Sequence, residues 1–506
     1  MKIRAACRRR RTANCRNALN FKFADFRVDY PVFVFLYQRS FMVFSSPIFL
    51  FIFLPSVWLI HALLPENFRK AFLLLASLVF YIYGEAFFVI LMLATIVTAH
   101  LSTVMISRSE RHKKAIAVTG SCLAISVLVI FKYVNFFTLE LSRFLALFSS
   151  VKITPTNFHL PLGISFFTFQ AVSCIIDFYR NPKEKEPKFI DTALYISFFP
   201  QLVAGPIVRY DNFMPQLKYR AVHYAAFLYG MKRFIYGFAK KVLISNNVAS
   251  IVDKIYSTDP SSMGSIIAWV APILFGIQLY FDFSGYSDMA IGLARIFGIK
   301  IPENFNYPFA ATSISNLWRR WHISLSTWFR DYLYIPMGGS KKGEFRTIFN
   351  LWFVFAICGL WHGAAWHFVL FGIITSFVIT IERFYKKHFS FKSAFLSHLY
   401  VVIIIFPLFF GSFRADTLAQ FFGMLRAMFV PTAPSAEILQ LFDTKSVIIF
   451  AIGFIFSFPI YGLLTDKFGK SNTFKWLEAA FLLVLFGAAL SSGTIVFSDP
   501  FLYFRF

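Results

Sequence analysis

Along most of this chain the apolar residues do not mark one face at helical or strand spacing. They run in continuous blocks, each closed by a short cluster of charges. A helix needs about 20 predominantly apolar residues to cross a hydrocarbon layer. Blocks approaching that length lie near residues 44–64, 71–83, 86–106, 115–135, 161–178, 190–207, 264–281, 347–383 (long enough for two segments), 396–412, 446–464 and 477–497. The pattern predicts an all-α polytopic membrane protein with roughly eleven transmembrane segments. Block 71–83 is short, and blocks 161–178 and 190–207 contain Gly, Pro and Gln. Such residues are tolerated at membrane depth mainly where backbone is buried in protein or lines a cavity. They predict re-entrant or broken helices around a central space.

Two segments between the blocks are aromatic and basic together, Tyr224 to Lys241 and Ile314 to Ile335. Their Trp, Tyr, Lys and Arg suit interfacial helices at headgroup level. With neither an internal repeat nor a low-complexity linker, residues 42–506 form one expected membrane domain. Residues 1–41 are a different kind of sequence: they hold ten basic residues, including the run Arg8 to Arg11, against Asp25 and Asp29. They lack the apolar core of a secretory signal. The cluster Arg108, Arg111, Lys113 and Lys114 marks a cytoplasmic loop by the positive-inside tendency. If three segments cross before it, the basic arm would be exported against that tendency, so translation is expected to start at Met42.

Composition supports lipid as the main solvent. Of 506 residues, 58% are hydrophobic and 15% charged, and Phe alone supplies 70; soluble domains carry about 45–50% apolar and about 25% charged residues. The net charge of +25 invites a nucleic-acid reading. The basic residues, however, sit in short clusters between apolar blocks, as cytoplasmic loops and contacts with anionic headgroups require. Membrane lipid is therefore an expected partner and nucleic acid is not. The five cysteines show no CxxC pair and no metal-ligand spacing with histidine, so neither a metal site nor a disulfide framework is signalled.

Ionisable residues within apolar sequence are costly, which makes them functional candidates. His362, in Gly359-Leu360-Trp361-His362-Gly363, directly follows the apolar run Ile348 to Cys358. A lone intramembrane His can also simply bond a neighbouring helix. A second constellation runs Asn316-Leu317-Trp318-Arg319-Arg320-Trp321-His322, with Trp328, Arg330 and Asp331 beyond it. On a helix Trp318 and Trp321 would share a face, with the arginines and His322 alongside to hold an anionic group. The plainer alternative is an interfacial anchor whose arginines touch lipid phosphates. Asp282 and Asp288 close an apolar run and could form an acid/base dyad or a cation site, but the plainer expectation is that they cap the following helix or pair with an arginine. Cys358 lies four residues before His362 and would share its helix face; a Cys-His pair could support an acyl-enzyme, although most buried cysteines are inert packing. His367 would point roughly 140° away from His362, which disfavours a joint metal site.

Five motifs in order, Phe198 to Leu217, Phe281 to Ile299, Pro302 to Phe309, Trp318 to Gly339 and Gly359 to Gly372, resemble the membrane-bound O-acyltransferase family. The likeness is greatest to the branch acting on alginate, peptidoglycan and other exported polysaccharides. It covers about residues 42–506. The resemblance implies an irregular helical bundle pinched at its centre, with a tunnel between cytoplasmic and exterior funnels. It implies His362 as the essential histidine and His322 as a second, less strictly required one. Relatives commonly have Gly where this chain has Cys358, which weakens the thiol route.

A neutral imidazole can take the proton of a sugar hydroxyl as its oxygen attacks an acyl thioester, while polar neighbours such as Asn316 or His322 stabilise the oxyanion. Substrate contacts are expected from Asn316, Trp318, Arg319, Arg320, Trp321, Arg330, Asp331 and Trp361. No bound cofactor and no metal are required. The donor would be acetyl-CoA or another acyl thioester, delivered directly or by an acyl carrier on the cytoplasmic side. The acceptor would be an exported polysaccharide, presented through an exported acetyltransferase partner at the bacterial inner membrane. The alternatives are D-alanyl or lipid acyl transfer by the same fold, and a transporter or channel without acyl chemistry.

Overall fold

The computed structural model describes residues 42–148, 153–154, 156, 160–181, 186–218, 223–388, 393–496 and 501–502. The basic segment 1–41, expected to go untranslated, lies outside them. Among the described residues all regular structure is helical. The helices that frame the interior are α1 (Phe49–Leu63), α2 (Glu66–Glu85), α3 (Val89–Arg108), α4 (Lys113–Leu145), α5 (Ile164–Arg180), α6 (Tyr224–Ala239), α7 (Ser265–Ile296), α8 (Ile314–Trp318), α9 (Ile323–Phe329), α10 (Glu344–His362), α11 (Trp366–His388), α12 (Phe395–Arg414), α13 (Thr444–Phe456), α14 (Ile460–Phe468) and α15 (Asn472–Val496).

Seven of these, α3, α4, α7, α10, α11, α12 and α15, are long and apolar enough to cross a membrane, or eight if the bent pair α13 and α14 is one span. The protein is thus a multi-pass membrane protein, with fewer such helices than the eleven segments the block pattern suggested. The difference has physical causes. Block 44–64 becomes α1, which is too short, and block 71–83 belongs to α2, whose ends carry Glu66, Arg69, Lys70 and Glu85. Block 161–178 is α5, an unbroken but largely buried helix of 17 residues. Block 190–207 does break, into Phe189–Ser197 and Phe199–Leu202 followed by a turn. Block length alone cannot separate a crossing from a buried interior segment.

Lipid exposure explains the composition. Leu123, Ile125, Val129, Ile130 and Phe137 of α4 are all exposed, as are Leu477, Phe481, Leu483 and Val484 of α15. Surfaces like these are stable facing hydrocarbon and not water. Within its apolar window α15 is only 11% buried, whereas α7 is 78% buried and forms the inner axis.

Helix α6 packs along that axis through two glycine pairs. A Cβ on Gly230 would lie 2.6 Å from the Gly292 carbonyl oxygen, and one on Gly237 would lie 2.5 Å from that of Gly285. Small residues at such a crossing let two backbones touch. The segment Tyr224 to Lys241 is therefore docked on the interior axis and is more than an aromatic and basic surface strip. Three of its four cations are partnered there. Arg233 Nε and Lys240 Nζ lie 2.8 and 2.6 Å from the two oxygens of Asp288, and Lys241 pairs with Asp282 at 2.5 Å. Neither acid caps a helix, because α7 runs unbroken through both; pairing with cations is what the structure shows.

Replacing Gly237 by Leu should cost at least about 1–3 kcal/mol of stability, because a side chain there meets backbone. Gly487 has nothing within 4 Å of an added Cβ, so Gly487→Leu serves as the control. Thermal unfolding of detergent-purified protein should show a marked loss for the first variant and little change for the second. Equal midpoints would contradict the close-crossing account.

Candidate active site

After α7 the chain leaves regular structure over 299–313, apart from a short turn at Pro308–Ala310, and the buried residues of this partly exposed stretch must find substitutes for their missing backbone partners. Four side chains supply them. Buried Glu382 on α11 accepts the N–H groups of Ile314 at 2.6 Å and Ser315 at 3.3 Å, and Ser313 Oγ accepts that of Asn316 at 3.0 Å, which together cap α8. Arg320 donates to the Asn306 carbonyl at 3.1 Å. Fully buried Asn304 does most. Its backbone carbonyl accepts the Ile323 N–H at 2.9 Å, and its Oδ1 accepts from Ser324 Oγ at 2.9 Å. Its amide nitrogen donates to Ser287 Oγ of α7 at 3.1 Å, and its Oδ1 faces His322 Nδ1, also at 3.1 Å.

This clamp holds His322 at φ 44°, in the left-handed region that non-glycine residues seldom enter. The break there ends any continuous helix over Ile314 to Ile335. That segment is not an interfacial helix: Trp321, His322 and Trp328 are buried, and the Trp328 ring stacks on Phe169 at 3.9 Å. Because Asn304 Oδ1 accepts from Ser324, it also accepts from His322, so the proton of neutral His322 sits on Nδ1. Its Nε2 is then an acceptor and not a donor.

His362 is the last residue of α10. Its ring lies 5.1 Å from Phe413, 5.8 Å from Phe371 and 5.0 Å from Trp361, measured between centroids. His362 and His322 line one cavity of about 30 Å³, together with Trp318, Trp321, Leu279, Phe283, Leu317, Phe371, Phe409, Phe410 and Phe413. The walls are almost wholly apolar. Trp318 Nε1 is buried with no hydrogen-bond partner among the described residues.

The predicted residues thus divide. His362, His322, Trp318 and Trp321 meet at the cavity, with Trp361 beside them, its ring centroid 6.0 Å from that of His322. Trp318 and Trp321 do not share a helix face, since α8 ends at Trp318; they meet because the chain turns back. Asn316, Arg319, Arg320, Arg330 and Asp331 do not line the cavity. Asn316 Oδ1 accepts from Arg320 Nε at 3.0 Å, and Arg319 is exposed. Asp331 is gripped by Arg330 and Arg209, and Arg180 donates to its carbonyl at 2.9 Å. Burial pushes the Asp331 carboxyl up, and the two guanidinium groups outweigh it, holding the carboxyl below its ordinary value. Cys358 is buried one turn before His362, off the cavity wall, and His367 belongs to the next helix. Among the described residues no three His, Cys, Asp or Glu side chains converge as metal ligands.

Sequence reasoning assigned no role to Asn304 or Glu382. Neither stands out in the sequence: Asn304 lies between Glu303 and Phe305, and Glu382 precedes Arg383 at the charged end of its apolar block.

Comparison with known proteins gives the chain its chemical class. The family model described as MBOAT, membrane-bound O-acyltransferase family, matches residues 180–412. The chain is 39% identical over 345 residues to the "Probable alginate O-acetylase AlgI" of Pseudomonas aeruginosa, covering 68% of this chain and 66% of that protein. It is 37% identical over 392 residues to the protein of the same name in Azotobacter vinelandii, covering 77% and 78%. A "Peptidoglycan O-acetyltransferase" of Helicobacter pylori is 36% identical over 389 residues, covering 69% and 73%. The chain belongs to the membrane-bound O-acyltransferase family. By that membership it is an acyltransferase.

Asn304→Ala removes the acceptor for His322 and Ser324 and leaves buried donors unpaired, a cost of about 1–3 kcal/mol. Asn304→Asp keeps an acceptor oxygen. Acyl-transfer assays on folded protein should show at least about a 10-fold loss for the alanine variant, as for other supporting partners of a site residue, and a smaller one for the aspartate variant. Normal activity in Asn304→Ala would contradict the clamp.

Proposed function

We propose that this protein O-acetylates an exported or cell-surface polysaccharide, using His362 as general base. The single observation that carries this reading is the meeting of His362 and His322, forty residues apart in the chain, in one apolar cavity. The names of the relatives point to acetyl transfer onto alginate and peptidoglycan. A cavity of about 30 Å³ favours a small acyl group over a long lipid chain.

In the proposed reaction an acceptor hydroxyl attacks the carbonyl carbon of an acyl thioester. His362 takes the hydroxyl proton as the C–O bond forms. The C–S bond then breaks, and the imidazolium returns its proton to the departing thiolate. The donor is acetyl-CoA or another acyl thioester, a co-substrate and not a bound cofactor. With Nδ1 protonated, neutral His322 accepts a hydrogen bond on Nε2 and so orients the reacting hydroxyl or the base. The oxyanion role passes to Trp318 Nε1, a buried donor on the wall that has no partner among the described residues. Dry walls strengthen both contacts and limit hydrolysis.

In this reading the protein sits in the bacterial inner membrane with its basic loops on the cytoplasmic side. His362 lies 18 residues beyond Glu344 on α10, about 27 Å along the helix from the basic loop holding Lys341 and Lys342. A donor arriving from that side needs a passage of this length, and that passage is the tunnel we propose. An acyl carrier delivers the thioester at its inner end, and an exported acetyltransferase partner hands the acyl group on to the polymer outside.

His362→Ala should abolish acyl transfer in reconstituted membranes while leaving folded protein, and Cys358→Ala should be mild. Retained activity in the first variant defeats the base assignment. Complete loss in the second, with intact protein, would revive an acyl-enzyme route through the thiol.

A further inference from the structure

Helix α4 carries one charge within an otherwise uncharged run of 25 residues, 115–139, and that charge is Lys132. It lies about 28 Å along α4 from Lys113, a distance close to that of His362 along α10. A helix end buried in protein leaves its last four carbonyls without intrahelical partners and without water to replace them. Here three of those four are taken by two neighbouring residues of α4. Tyr133 Oη donates to the Leu360 carbonyl at 2.8 Å, and Lys132 Nζ donates to the Trp361 carbonyl and, at 3.4 Å, to that of His362. Lys132 Nζ also lies 5.7 Å from the centre of the Trp361 ring, which itself stacks on Phe169 at 5.5 Å. A cation at the negative end of α10 is also favoured by the helix dipole.

We propose that Lys132 and Tyr133 are positioning residues for His362. Together they fix the last turn of α10 so that the imidazole is presented to the cavity next to Phe413 and Trp361. The inference rests on the reading of His362 as the base. Neither residue lines the cavity, so both act through the histidine. A lysine serving only to reach the headgroup layer would have no need of the α10 carbonyls.

Steady-state acyl transfer by purified, reconstituted protein tests this. Lys132→Met should lower kcat about 100-fold, the scale set by displacing a reacting group by about 1 Å, while KM for donor and acceptor stays within about twofold. Lys132→Arg, which can still donate to the carbonyls, should recover most of the loss. Tyr133→Phe deletes one hydrogen bond and should lower kcat about fivefold. The inference is overturned if folded Lys132→Met keeps parental kcat or if its defect lies in KM. Should Lys132→Met fail to fold, Tyr133→Phe decides, and an unchanged kcat there overturns the inference. If His362→Ala keeps acyl transfer, the base assignment fails whatever Lys132 does. If His362→Ala is inactive and Lys132→Met turns over normally, only the present inference fails.

Discussion

Buried backbone has no water to bond, so where the chain leaves a helix inside this protein the protein itself must supply the partners. The stretch between α7 and α10 depends on that constraint. It leaves helical geometry over 299–313 and turns at His322 through a left-handed conformation, which costs of order 1–3 kcal/mol in a non-glycine residue. Asn304, Glu382 and Arg320 replace the bonds that a helix would have made. In doing so they bring Trp318, Trp321 and His322 around one cavity. The residue with the strained backbone is thus one of the two histidines on the cavity wall.

Much of this was legible in the sequence, for reasons particular to each part. Helices α3, α4, α10 and α11 follow from apolar blocks closed by charges, since lipid selects for both. His362 stood out because an imidazole at the end of an apolar run is costly unless it has a use. The arginines were less legible. Whether a guanidinium meets an anion or a carbonyl depends on partners elsewhere: Arg320 bonds Asn306, and Asp331 is held by Arg209, more than a hundred residues away. Trp318 and Trp321 were grouped by helical spacing; they do meet at the cavity, although the helix ends between them. Asn304 and Glu382 were missed because their roles exist only through tertiary contacts.

The two histidines are set up differently, and the difference suits a division of labour. His322 is locked by Asn304 in one tautomer, with its Nε2 an acceptor. His362 is held through its backbone at a helix end and walled by Phe371, Phe413 and Trp361. One ring is thus fixed by a nitrogen, and the other is placed by the main chain that carries it. The apolar walls make each remaining polar contact count for more than it would in water. A fold of this family therefore concentrates its polar groups where backbone and chemistry both need them, and leaves the outer helices to lipid.

The most direct measurement is an experimental structure of the protein bound to a non-reactive thioether analogue of acetyl-CoA. The account predicts the acetyl group in the cavity between His322, His362 and Trp318, with the carbon that stands for the thioester carbonyl facing a space about 3–3.5 Å from a hydroxyl within reach of the His362 ring. An analogue bound elsewhere, with the cavity closed to it and His362 packed among aromatic rings on every side, would contradict the central claim.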